Sequence, residues 1–322
     1  MKKHILPLFL LFCIISANCL YTQDLYSQDL DLHTPILQAQ ALNTPVLQVA
    51  HNTQNIQNTH KSRIPERIPF SLLFHDFGKN TLGSFTYGYG LPWIAGTAGS
   101  YGIIKSGIDW EWNRFNVRHE FTSEYVPLLG VGAGSVLPAL VPFMMYFGID
   151  DPEIQFTGLA LGQAALQGVL VSSMVKTFTG RVPPHVTEAI RGDSDYQEDY
   201  SKDFRWGFFR GGIKDGWPSG HTSVAVAMST TLITLYPESI AVRVGAIAYS
   251  TFVGASMSFR AHWVSDVFAG AFAGFAIGRS VGKSYAALRE KRNASGQSGK
   301  TNKDDKVSLN FYPNGLGIQI KL

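Results

Sequence analysis

The stretch Pro218-Ser219-Gly220-His221, followed by Thr222-Ser223 and an apolar run to Tyr236, decides how the rest of the chain is read. Pro and Gly make a turn, Ser or Thr caps a helix, and the helix starts at about His221. The first-turn N–H groups of such a helix have no partner within it. The macrodipole adds partial positive charge there, so the spot suits an anion. An imidazole at that point gives or takes a proton near neutral pH. Ser219, Gly220 and His221 therefore read as an anion cradle with an acid–base group built in. Four residues are a weak signal, and they read equally as a capped helix with a solvated histidine.

Outward from this stretch, the apolar residues gather in blocks near 87–104, 125–148, 156–175, 221–236, 240–257 and 264–285. Several approach the roughly 20 residues that cross a bilayer. Many carry Gly, Ala, Ser and Thr, the small residues that let membrane helices pack closely. Blocks 87–104 and 221–236 are the weakest spans, being rich in Gly or in Ser and Thr. The expected fold is all-α, a polytopic membrane bundle of about six helices. A short β-hairpin is expected at the C-terminus, over Val307–Tyr312 and Leu316–Leu322 with a turn at Asn314-Gly315. A soluble bundle of buried helices is the competing reading, and the blocks without a polar face argue against it.

The formal net charge is +3, with no basic stripe interleaved with aromatics, so no nucleic-acid partner is expected. Both cysteines, Cys13 and Cys19, lie in the N-terminal apolar segment, so they say nothing of the redox compartment. Residues 1–19 read as a signal peptide or N-terminal anchor. Residues 20–66 are a low-complexity linker, in which Thr34-Pro35-Ile36-Leu37-Gln38 recurs as Thr44-Pro45-Val46-Leu47-Gln48. Residues 67–285 form the membrane-embedded domain, with 67–86 at the membrane surface. Trp110 and Trp112 read as interfacial anchors. Residues 286–322 are a basic tail carrying the hairpin.

Three clusters fall at ends of apolar blocks. The first runs from Lys176 to Pro184 and includes Arg181. The second is Pro218 to His221. The third runs from Arg260 through His262 to Asp266. His262 and Asp266 are four apart, so on a helix they share a face. A carboxylate on one ring nitrogen fixes the tautomer and leaves the other as nucleophile or base. Each cluster alone has a plain structural reading: a snorkelling Lys176 and Arg181, or a helix-surface His–Asp pair. A metal held by His221, His262 and Asp266 lacks a further ligand cluster at the usual spacing, so none is expected.

Taken in this order, the three clusters resemble the type 2 phosphatidic acid phosphatase superfamily. That superfamily includes bacterial lipid phosphate phosphatases, non-specific acid phosphatases and vanadium haloperoxidases. Its pattern is Lys, six residues, Arg-Pro; then Pro-Ser-Gly-His; then Ser-Arg, five residues, His, three residues, Asp. Pro218–His221 match fully, as do Lys176, His262 and Asp266. Two positions depart: Pro183 replaces the arginine before Pro184, and Ala255-Ser256 replaces Ser-Arg.

The resemblance implies metal-independent phosphotransfer with no cofactor. His262 is the nucleophile, Asp266 its orienting carboxylate and His221 the acid that protonates the leaving oxygen. Lys176, Ser219 and Gly220 bind the phosphate, and Arg181 and Arg260, near the two gaps, compensate for the absent arginines. The implied partners are the lipid bilayer and a membrane lipid phosphate or diphosphate. The alternative is a weak or inactive lipid-binding envelope protein on the same fold. The expected place is a bacterial cell membrane, multi-pass. The basic tail puts the C-terminus inside and, with six crossings, the three clusters on the outer face. A cleaved signal peptide followed by six crossings would reverse that.

Overall fold

The computed structural model describes residues 67–86, 89–184, 199–210, 216–259, 261–298, 307–312 and 315–320. The expected signal segment and the low-complexity linker lie outside the described residues. So does Arg260.

Eight α-helices are described: α1 (Phe77–Gly83), α2 (Gly90–Ser106), α3 (Ile108–Val117), α4 (Glu120–Phe147), α5 (Pro152–Thr179), α6 (Gly220–Leu235), α7 (Ile240–Met257) and α8 (Val264–Ser298). Each of the six apolar blocks forms a helix. Four of these, over Tyr125–Phe147, Pro152–Thr179, Ile240–Met257 and Val264–Ala294, are long and apolar enough to cross a membrane. The two weakest blocks fall short: α2 has 17 residues and α6 has 16. Strands Val307–Tyr312 and Gly315–Ile320 pair antiparallel, with Val307 opposite Ile320. The Asn-Gly turn expected between them lies outside the described residues.

Local chemistry sets the helix ends. Asp151 caps α5, its carboxylate accepting from the N–H groups of Glu153 and Ile154 at 2.8 and 2.9 Å. Pro152 fills the first helical position, where no N–H is needed. Gly180, with φ of 42°, closes the other end in the left-handed region that glycine tolerates. Ser219 caps α6 and Ser239 caps α7.

Helix α6 packs against α4, α5, α7 and α8. Its contact with α8 is the most extensive among the described helices. Gly270, Gly274, Gly278 and Gly282 recur every four residues along α8. A methyl on Gly270 would lie 2.6 Å from the Ser219 carbonyl oxygen. On Gly274 and Gly278 it would lie 2.4 Å from that of Ser223 and 2.3 Å from that of Ala227. Both helices ascend together along this stripe, so they run parallel and start at the same end of the bundle. Phe156, Val171, Val224, Ile277, Val281 and Tyr285 fill the core between α5, α6 and α8. The exposed apolar side chains sit outside, among them Leu128, Leu137 and Met144 on α4 and Ile240, Val244 and Ile247 on α7.

Residues 67–86, expected at the membrane surface, are bound to α5 by buried amides. Gln163 donates to the carbonyls of Leu73 and His75 at 2.8 and 2.9 Å, and Gln167 donates to that of Phe77 at 2.9 Å. The tryptophans expected as anchors are engaged inward. Trp110 is buried, and Trp112 donates to the Ser258 carbonyl at 2.8 Å.

The glycine stripe yields a paired prediction. Gly274→Leu should destabilise the protein by about 1–3 kcal/mol or prevent its folding, because the added carbons meet backbone. Gly245→Ala, where nothing lies within 4 Å of an added methyl, should stabilise by up to about 1 kcal/mol. Thermal unfolding in detergent compares the two.

Candidate active site

The parallel run of α6 and α8 brings the second and third clusters together. The Ser219 N–H donates to the Asp266 carbonyl at 2.9 Å, tying the turn before α6 to the first turn of α8. Ser219 is buried, and its hydroxyl accepts from that of Thr222 at 3.0 Å. Gly220 leaves room for Lys176: a methyl there would lie 3.8 Å from Lys176 Nζ. Lys176, in the last turn of α5, is buried.

The two imidazoles face each other, with ring centroids 6.2 Å apart and planes at 60°. Asp266 Oδ2 lies 3.6 Å from His262 Nδ1, longer than a hydrogen bond and within reach of one after a small shift. That side of the ring is thereby assigned to the carboxylate, which leaves Nε2 turned to the site. His221 Nε2 lies 3.0 Å from the Ser135 hydroxyl on α4. Ser135 was not legible as a site residue from the sequence. It follows the glycine-rich run Gly130-Val131-Gly132-Ala133-Gly134, whose Gly134 lets α4 press against the His221 side chain.

Arg181 takes a place different from the expected one. Its side chain is wholly buried. Nη1 donates to Asp266 Oδ1 at 2.5 Å and to Ser265 Oγ at 2.6 Å. Nη2 donates to Asp109 Oδ2 at 2.7 Å, and both Nη2 and Nε donate to the Ser201 carbonyl. The guanidinium lies 5.0 Å from the Phe204 ring centre and 5.4 Å from that of Trp263. These partners occupy its donor fork, so in this arrangement it grips Asp266 and not a phosphate.

Asp109 is a second residue that sequence reasoning missed. Fully buried, it accepts from the Ser265 N–H at 2.9 Å and the Ser265 hydroxyl at 2.5 Å, which caps α8 from outside the helix. Burial pushes its carboxyl above the ordinary range, against the pull of Arg181. The only hint in the sequence is an acidic residue just after Gly107, where the left-handed glycine joins α2 to α3. His262, buried and outside the spanning segments, is held below its ordinary value of 6.5. Burial is the main cause, with Asp266 opposing it.

The two positions that depart from the expected motif are also filled. Pro183 is buried. Ser256 is buried where α4 and α7 meet, and a methyl on Gly130 would lie 2.4 Å from its Cβ. No space remains there for an arginine. Among the described residues, no three His, Cys, Asp or Glu side chains gather as metal ligands.

Removing one member of the Asp109–Arg181–Asp266 set strands a buried charge. Arg181→Ala and Asp109→Ala should each cost about 3–5 kcal/mol of stability, read as a fall in melting temperature. An Arg181→Ala protein that kept its melting temperature and lost only turnover would return Arg181 to the phosphate.

The family model for the PAP2 superfamily matches residues 157–289, which hold all three clusters. No curated protein and no solved structure gives a match.

Proposed function

Because the chain belongs to the PAP2 superfamily through residues 157–289, a superfamily of phosphatases acting on phosphate esters, we propose that it hydrolyses a membrane lipid phosphate or diphosphate through a phosphohistidine. The observation that carries this reading is the facing pair His221 and His262, 6.2 Å apart, with Asp266 at the far nitrogen of His262.

In this mechanism His262 Nε2 attacks phosphorus, and the bond from phosphorus to the lipid oxygen breaks. His221 donates a proton to that oxygen as it leaves. Asp266 accepts a hydrogen bond from the Nδ1–H of His262, which keeps its proton, and stabilises the cationic ring. Water then attacks the phosphohistidine while His221 takes its proton, and phosphate leaves with His262 restored. Lys176 and the N–H groups at the start of α6, around Ser219 and Gly220, hold the charge on the non-bridging oxygens. Arg260, beside His262 in the sequence, is the remaining candidate cation. Arg181 acts at one remove, by fixing Asp266. The steps require no metal. A lipid substrate is supported by the four helices long and apolar enough to cross a bilayer. The cellular setting we infer is a bacterial cell membrane with the site on the outer face.

A second reading, a lipid-binding protein without turnover, is favoured by the filled position at Ser256. Phosphate release by purified protein decides between them. The wild type should release phosphate from a lipid phosphate with or without chelator, and His262→Ala should lose about 10³-fold or more with its melting temperature kept. Binding without release would establish the second reading.

The pH profile follows from the nucleophile. Attack needs neutral His262, so kcat/KM falls as pH drops through the pKa of that ring. Its folded value lies below 6.5, so the acid limb should lie below 6.5. An acid limb above that value would contradict the buried, neutral nucleophile.

A further inference from the structure

The segment from Phe204 to Arg210 is folded back on the end of α5 by backbone bonds. The N–H of Arg205 donates to the Gly180 carbonyl at 3.0 Å, that of Gly207 to Phe178 at 3.0 Å and that of Phe209 to Thr177 at 2.7 Å. These carbonyls would otherwise be unsatisfied, as the last ones of any helix are. The turn is tight: Gly207 has φ of 124° and Phe209, though not glycine, has φ of 57°. What this turn holds outward is apolar. Trp206 is 62% exposed, Phe208 68% and Phe209 57%. Phe208 touches Phe178, with ring centres 5.5 Å apart.

Phe178 is itself the end of an exposed row. Leu170, Met174 and Phe178 are four apart on α5, so they share one face, and all three are exposed. Since α5 is long and apolar enough to cross a bilayer, that exposed apolar face is suited to contact lipid, and the aromatic turn continues it beyond the helix end. The exposed Arg205 and Arg210 flank the aromatics, the pairing of side chains suited to the level of lipid headgroups.

The same segment is anchored to the catalytic carboxylate. Phe204 stacks on Trp206 with ring centres 5.0 Å apart and planes at 13°, and its other contact is the Arg181 guanidinium. Arg181 in turn binds Asp266.

We propose that Trp206, Phe208, Phe209 and Phe178 form an interfacial hook that inserts among bilayer lipids and holds the phosphorylated lipid at the mouth of the site. The occupant is membrane lipid, because the hook is continuous with the exposed apolar face of α5. Insertion stands by itself, whereas the role in substrate capture rests on the phosphatase reading.

Two arms test it on the full chain in phosphatidylcholine vesicles containing phosphatidylglycerol. In the first, Phe208→Cys, with Cys13 and Cys19 replaced by Ser, carries a nitroxide. The label should be reached by oxygen in preference to a water-soluble nickel complex. Preferential access to nickel would overturn the hook, and so would protection from both, which would mean a protein partner. In the second arm, Phe208→Gln combined with Phe209→Gln should raise KM for a long-chain lipid phosphate about tenfold, from lost apolar burial. Its kcat/KM on a water-soluble phosphate monoester should stay within about twofold of wild type. Equal loss on both substrates, or none on the lipid, would overturn the capture role. If the wild type hydrolyses neither, the phosphatase reading falls, and the nitroxide still decides whether the hook enters lipid.

Discussion

The close parallel approach of α6 and α8 is the constraint on which the site rests. Side chains larger than hydrogen at positions 270, 274 and 278 would force the two backbones apart. With glycine there, the turn at Ser219 meets the first turn of α8, and the two helix starts lie together. His221 comes from one start and His262 from just before the other. Their separation is therefore set by backbone contact along the helices. A site defined this way needs no loop to hold its two rings in register, and both dipoles point their positive ends at the same place.

A second constraint is electrostatic. Two buried carboxylates, Asp109 and Asp266, share one guanidinium. A buried charge is tolerated only when paired and hydrogen-bonded, and every donor direction of Arg181 is used for that purpose. Asp266 is thus held from behind by Arg181 at Oδ1, while its Oδ2 accepts from the Trp263 N–H, just before α8, at 3.1 Å and also faces His262. The carboxylate that steadies the nucleophile is itself steadied. Asp109 extends this hold to α3, and Ser201 extends it to the segment that carries the exposed aromatics.

Much of this was legible beforehand. The apolar blocks gave the helices, because small and apolar residues without a polar face leave few alternatives. The turn and cap at Pro218–His221 and the spacing of His262 and Asp266 are local features and so are visible in the sequence, although His262 lies just before α8 and not on it. Arg181 was misjudged because nothing local distinguishes an arginine that binds phosphate from one that binds two carboxylates. The difference lies in Asp109, 72 positions away. Ser135 was missed for the same reason, since its partner His221 is 86 positions distant. Trp110 and Trp112 read as anchors because tryptophan near an apolar block usually sits at an interface. Here Trp110 is buried and Trp112 donates to the turn after α7 instead.

The contact between Ser256 and Gly130 also bears on how such a chain can change. Where the motif it resembles has an arginine, this chain has Ser256, and α4 and α7 close on each other there. Placing an arginine there alone would wedge α4 from α7 and lose the fold before any gain in anion affinity was felt. A bulky side chain at position 256 therefore requires a wider seam between α4 and α7, so any cation added to the cleft is more easily placed elsewhere around it.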